Sequence, residues 1–287
     1  MPTAVLTFGF DPIAHPFGDL AVRWGVLGLA GILVVSLVLA GLMARAAGLR
    51  VDDLAFIAIG AVPGAVVGGR LGYAVQHWDY YGSRLGAVVD PSVGSLELGL
   101  GVLGGLLTAG YVASLLGAPV GRWLHVATGP LLFALGAGKL TMVLTGAGQG
   151  VPSDAAWATA YSGTGPWGSL APSLPSMPSQ ALEGVATLVV LTALTLILTA
   201  GVFDRGDGRA FFIGLGAWAL LRVVVSGSWR DHPVVLGVNA GGLIAMVVVL
   251  VSAIGFAWVA TISPRRHERA LHTAEVRLVD PEAGPRS

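Results

Sequence analysis

The feature that most constrains this chain is a succession of apolar runs, each about 20 residues long, the length that crosses the hydrocarbon core of a bilayer. They fall at about 21–43, 54–76, 96–116, 124–146, 181–203, 210–228 and 234–260. Of 287 residues, 54% are hydrophobic and 11% charged, with a mean hydropathy of +0.78. A water-soluble domain carries roughly a quarter charged residues. The chain is therefore read as an all-α integral membrane protein, a seven-transmembrane-helix bundle. Arg70 and Glu97 weaken the second and third runs, which leaves a six-span bundle as the alternative.

Arginine placement sets the expected orientation. Arg45 and Arg50, Arg122, Arg205 and Arg209, and the tail "PRRHERALH" all fall at one side of a seven-span arrangement. The other side carries Arg84 and Arg230, and no basic residue between Gly148 and Gln180. By the positive-inside rule the N-terminus is outside and the C-terminus cytoplasmic. The start of the chain has no basic stretch leading into an apolar core, so no cleaved signal peptide is expected. Residues 1–263 form the expected span domain. An extracytoplasmic loop at about 148–180, rich in Pro, Ser and Gly, should hold little regular structure, with Trp157, Tyr161 and Trp167 as interfacial anchors. The charged tail 264–287 should be disordered. Formal net charge is zero, so no nucleic-acid partner is implied. The absence of cysteine excludes thiolate metal sites, disulfides and a cysteine nucleophile on this chain. The histidines are scattered, so no metal site is expected.

Glycines at four-residue spacing in "GAVPGAVVGGRLG" and "GLGVLGGLLTAG" allow helices to approach closely in a membrane. They do not account for the ionisable residues among the spans: Arg70, Glu97, Lys139, Glu183 and Arg222. Lys139 is the sole lysine of the chain. Placed on the expected topology, all five lie in the outer half of the bilayer. Such residues pair with one another or line a polar cavity. Either Arg70 or Arg222 pairs with Glu183, or Arg70, Lys139 and Arg222 surround an anionic headgroup, guanidinium groups gripping phosphate bidentately. Lys139 could also balance Glu183 alone.

The stretches "FDPIAHPFGDLAVRWG", "GGRLGYAVQHWDYY", "LGVLGGLLTAG", "LGAGKLTMVLTGAGQG", "MPSQALEGV" and "GAWALLRVVV" resemble, in order and spacing, those of the prolipoprotein diacylglyceryl transferase family. The resemblance covers about residues 10–260. It implies seven spans with the N-terminus outside, in the plasma membrane of a bacterium. It also implies transfer of diacylglyceryl from phosphatidylglycerol to the lipobox cysteine of a preprolipoprotein, releasing glycerol phosphate. The partners it implies are thus phosphatidylglycerol or another anionic phospholipid, and preprolipoproteins; it implies no cofactor. Carried onto matching positions, Arg70, Lys139, Glu183 and Arg222 are the phospholipid-headgroup residues, with Glu183 and Arg222 the catalytic candidates.

The family signature Gly-Arg-x-Gly-Asn-Phe-x-Asn-x-Glu-x-x-Gly aligns with "GKLTMVLTGAGQG". Gly138 and Gly150 agree. Lys139, Met142, Thr145 and Ala147 stand where the family has Arg, Asn, Asn and Glu. Leu103 replaces a histidine, and Ser226 an acidic residue. The family's His-Trp-Tyr-Gly appears as Arg23 to Val26, and its His-Pro-Ser-Gln as Met177 to Gln180. The transfer needs a base within reach of a thiol, and Leu103 cannot serve; Glu183, Glu97 or His77 could. Three functions stay open: a divergent transferase, a catalytically impaired phospholipid-binding or scaffold protein, and a lipid carrier with broken spans.

Overall fold

The computed structural model describes residues 5–163, 165–203 and 207–279, with side chains through Thr261 except that of Phe17. Among the described residues, seven helices are long and apolar enough to cross a membrane. They are α1 (Trp24–Ala46), α2 (Val51–Gln76), α4 (Leu98–Leu115), α5 (Val120–Thr141), α6 (Ser179–Thr199), α7 (Arg209–Ser226) and α8 (Ala240–Val279); α3 (Trp78–Tyr81) is a single turn. Seven such helices favour the seven-span bundle over the six-span alternative. Span α2 runs unbroken through Pro63, so the broken segment expected of a carrier is absent there. The lost backbone bond at a proline is tolerable in a membrane helix where neighbouring elements or side chains re-satisfy the freed group.

Helix α7 lies at the centre. Phe211, Leu215, Trp218 and Ala219 from it pack with Leu132 and Leu135 of α5, Leu194 of α6 and Val248 of α8. The outer faces of the bundle remain apolar and exposed, as at Ile59, Leu107 and Trp258, which suits lipid rather than water. Helices α2 and α4 form a seam without side chains. A Cβ on Gly64 would fall 2.1 Å from the Gly104 carbonyl oxygen, and one on Gly68 would fall 2.2 Å from that of Leu100. The four-residue glycine spacing in the sequence is this seam.

The two ends of the bundle differ. At one end the helices are joined by short turns at 47–50 and 116–119, held together where Arg122 donates to the Ala47 carbonyl. At the other end the segments 5–23, 77–97, 142–178 and 227–239 form a head. Strand β1 (Leu6–Phe8) pairs in parallel with β4 (Thr159–Tyr161), and β2 (Ile13–Phe17) pairs with β3 (Leu20–Arg23). A small hairpin joins β5 (Pro233–Val235) to β6 (Val238–Asn239).

Segment 148–180 is mostly irregular, as expected, but it is anchored rather than loose. Arg230 donates to the Gly150 carbonyl at 2.6 Å and to Ser176 Oγ at 2.8 Å. Of its three expected interfacial aromatics, Trp157 is exposed, whereas Tyr161 is fully buried, stacked on Phe8 and against Trp167. Tyr161 is the core of the head, because β1 supplies an aromatic partner from far away in sequence. Burial raises its phenol pKa to about 12, despite the opposing hydrogen bond from Gln180. At the other terminus, α8 runs to Val279, past Pro264 where the charged tail begins. The stretch "ERALHTAEVRLV" is rich in good helix formers. Residues 280–287 of the expected tail lie outside those described.

Candidate functional site

Five helices, α2, α4, α5, α6 and α7, and the head line a cavity of about 330 Å³. Its lining includes Glu97, Lys139, Arg222, Trp229, Arg230 and Asp231, with Gln149 and Gln180 from the signature turn and the start of α6.

Glu97 precedes α4 and caps it. Its Oε1 accepts the Gly99 N–H and its Oε2 the Leu100 N–H, both at 2.7 Å. A carboxylate at this point satisfies orphan donors and complements the helix dipole. The same Oε1 lies 3.1 Å from Arg222 Nη2. Arg222 Nη1 donates to Glu183 Oε1 at 2.7 Å, and Lys139 Nζ forms an ion pair with Glu183 Oε2 at 3.0 Å. Four helices thus contribute Glu97, Arg222, Glu183 and Lys139 to one chain of alternating charges. Glu183 is fully buried, and Glu97 and Arg222 are 4% exposed. Two bases facing two acids leave the chain formally neutral. The Arg222 guanidinium also sits 4.9 Å from the Trp229 ring and 5.4 Å from that of Trp218.

Three of the residues assigned to the headgroup from sequence are therefore brought together: Lys139, Glu183 and Arg222. Arg70 is not with them. Its Nε donates to the Val88 carbonyl at 2.9 Å, Nη1 to Val93 and Ser95 at 2.7 and 3.3 Å, and Nη2 to Ala87 and Asp90 at 3.0 and 2.8 Å. A guanidinium has five N–H donors, and all five are used on one loop. None is left for a headgroup. This loop leads directly to Glu97, whose own N–H donates to the Gly69 carbonyl at 2.8 Å. Arg70 thus holds the segment that delivers Glu97. In that loop, hydrogen bonds from Ser92 depress the Asp90 carboxyl pKa.

Glu97, one of the five intramembrane charges of the sequence and a candidate base, joins the site beside the residues that the resemblance assigns to the headgroup. Its position immediately before an apolar run was the available signal, since an acid there caps the helix and is fixed in place. His77 stacks on Tyr73, with ring centroids 4.1 Å apart, and is exposed. Leu103 packs against the apolar cluster around Trp218. The signature turn is compact. Gly146 and Gly148 take positive φ of 71° and 75°, and the Thr145 carbonyl accepts the Gly168 N–H at 2.7 Å. Met142 and Ala147 pack against Gly148 and Gly168. Ser226 Oγ is spent on the Val223 carbonyl. The replaced positions are thus absorbed into packing.

On the lining beside this turn, Gln149 donates to the Thr159 carbonyl at 2.7 Å and accepts from Ser169 Oγ at 2.6 Å. Gln180, 1% exposed, has its Nε2 3.3 Å from Tyr161 Oη.

A Dehalococcoides mccartyi protein named phosphatidylglycerol–prolipoprotein diacylglyceryl transferase is 22% identical over 253 residues, spanning 83% of this chain and 90% of that protein. A Streptococcus sanguinis protein of the same name is 33% identical over 102 residues, 36% of this chain and 39% of its own. One from Listeria welshimeri is 28% identical over 99 residues, 34% of this chain and 36% of its own. The sequence profile described as prolipoprotein diacylglyceryl transferase matches residues 12–258, and the chain, a multi-pass membrane protein, belongs to that family.

Proposed function

We propose that this protein transfers diacylglyceryl from phosphatidylglycerol to the lipobox cysteine of a preprolipoprotein in the plasma membrane of a bacterium. The head and its cavity face outward, and the C-terminus lies in the cytoplasm. The observation that carries the reading is the buried Glu97–Arg222–Glu183–Lys139 chain, of which Glu97, Arg222 and Lys139 line a cavity beneath the head, in a chain of this family.

In the proposed reaction the cysteine sulfur attacks the glyceryl carbon that bears the phosphate oxygen. A C–S bond forms, the C–O bond breaks, and glycerol phosphate leaves with the electron pair. The thiol proton passes to a base. Lys139 is the cation best placed to meet the phosphate. Its ammonium has three donors, its side chain is 16% exposed, and it lines the cavity. Arg222 stabilises the charge that develops on the leaving oxygen, acting in a water-poor site where such interactions strengthen. Glu183 bridges the two cations and fixes the distance between them.

A second reading, a catalytically impaired phospholipid-binding protein, is favoured by a different observation. Leu103 puts an apolar side chain where the family has its histidine, and both buried carboxylates are tied to cations. Complementation separates the two. The chain is expressed in cells depleted of their own transferase, and a lipobox reporter is followed by mass. The transferase reading expects a diacylglyceryl mass gain on the reporter cysteine, abolished by Arg222→Met. Membrane-inserted protein with no reporter lipidation would establish the second reading. C-terminal reporter fusions active outside the cell would reverse the topology.

A further inference from the structure

Two residues of the cavity lining each hold a buried atom without a hydrogen-bond partner among the described residues: Arg222 its Nε, a donor, and Gln180 its Oε1, an acceptor. An unpaired buried polar group of this kind costs about 1–3 kcal/mol. Their chemistry differs in a useful way. A phosphate oxygen can satisfy the arginine donor, but it cannot satisfy an amide oxygen, because both are acceptors. The amide oxygen needs a ligand donor, an O–H or an N–H.

The surroundings of Gln180 fit that requirement. Its amide is held by Tyr161 Oη at 3.3 Å, inside the aromatic core of the head. Gln149, also on the lining, is fixed from both ends by Thr159 and Ser169. This wall is neutral and polar, whereas the charged chain of Glu97, Arg222 and Lys139 forms the other part of the lining. A hydroxyl donates and accepts, so it suits either end of an amide. An ammonium can also donate to the Gln180 amide oxygen, but Gln149, Gln180 and Ser169 offer its charge no carboxylate, so the neutral wall favours a hydroxyl.

We propose that Gln180 is a specificity-determining residue, receiving a hydroxyl of a phosphorylated polyol headgroup whose phosphate lies toward Arg222 and Lys139. The inference rests on the donor reading given above and deepens it. The site selects a glycerol-phosphate end over bare phosphate and over an amine-bearing headgroup.

The test is ligand binding to the purified full chain in detergent, which needs no transfer. The probes are glycerol 1-phosphate, inorganic phosphate and phosphoethanolamine. Wild type should prefer glycerol 1-phosphate by about tenfold, the worth of one good hydrogen bond. In Gln180→Met the preference should fall to within about twofold, with phosphate affinity unchanged, since only the hydroxyl contact is lost. Should Gln180→Met fail to give a cooperative melt, Gln180→Asn serves, because it keeps the amide and withdraws it by one methylene. Equal affinity of wild type for the three probes overturns the proposal. So does a preference that survives both substitutions, and so does no binding of any probe. Lipidation in the complementation assay without polyol preference in the binding assay would defeat this inference alone. Polyol preference without lipidation would defeat the transferase reading alone.

Discussion

Helix α4 makes two contacts of opposite character within its first two turns. Against α2 it lays backbone on backbone, with Gly104 facing Gly64 and the Leu100 carbonyl facing Gly68. Against α7 it presents the Glu97 carboxylate to Arg222, and through Arg222 reaches Glu183 and Lys139. The first contact is dry and depends on missing side chains. The second is polar, lines the cavity and depends on each charge keeping its partner. One fixes α4 in place, and the other uses that fixed position to hold a charge. A site built on a rigid seam keeps its geometry when a ligand enters, which is what preorganised electrostatics requires.

The sharpest break of this comparison is Arg222→Met. It takes the shared arginine from two buried carboxylates at once, leaving Glu183 with Lys139 alone and Glu97 with its two helix N–H donors, and losing one partner of a buried pair costs about 3–5 kcal/mol. The expected result is a large drop in melting temperature in detergent. A melting temperature equal to wild type would mean that the junction is electrostatically idle. Gly64→Val attacks the seam instead. The new branched side chain meets the Gly104 carbonyl, so α4 must move, at a cost of about 1–3 kcal/mol. Because α4 carries Glu97, the variant should also weaken phospholipid-induced stabilisation. Loss of stability with an unchanged lipid response would uncouple the seam from the site.

Arg70→Lys is the intermediate case. It keeps the charge and removes the five-donor fork that gathers the carbonyls of residues 87–95. A lysine has three donors on a single nitrogen, so the cost should be about 2 kcal/mol. The loop should become protease-sensitive while the helices stay folded. Unchanged proteolysis would show that the loop holds its shape without Arg70.

The seam could be read from the sequence and the junction could not, for a physical reason. Glycines at four-residue spacing mark one helix face, a local pattern that repeats along α2 between Gly60 and Gly72. The length of the apolar runs located all seven spans, with ends shifted by a few residues. Which charges meet depends on how far each helix extends and how the helices are rotated, and no single span records that. Topology alone placed Arg70 beside Arg222, because depth in the bilayer is legible and direction around the helix axis is not. The burial of Tyr161 was hidden in the same way. It depends on β1 pairing with β4, some 150 residues distant in sequence, and no pattern within 148–180 announces that partner. Glu97 was half legible: its charge at the start of a span was visible, its cap and its arginine were not.

The smallest effect is expected at Lys139, where the junction meets the cavity. Lys139→Met removes one ion pair from Glu183, yet Arg222 still holds the other carboxylate oxygen at 2.7 Å. The loss is therefore that of one charge-assisted contact, about 1–2 kcal/mol, well below that of Arg222→Met. The double change Lys139→Met with Glu183→Gln measures the pair directly. A coupling of about 1 kcal/mol is expected, because residues in direct contact are not additive. Lys139→Arg keeps the charge and should stay within about 1 kcal/mol of wild type, since surrounding hydrogen bonds can be remade by a longer cation. The informative readout is the rise in melting temperature on adding phosphatidylglycerol, which follows ligand affinity for the folded state. Lys139→Arg should keep that rise, and Lys139→Met should lose most of it. A lipid response intact in Lys139→Met would leave Lys139 as a counter-ion of Glu183 only, and the phosphate would then have to be met by Arg222 or Arg230 alone.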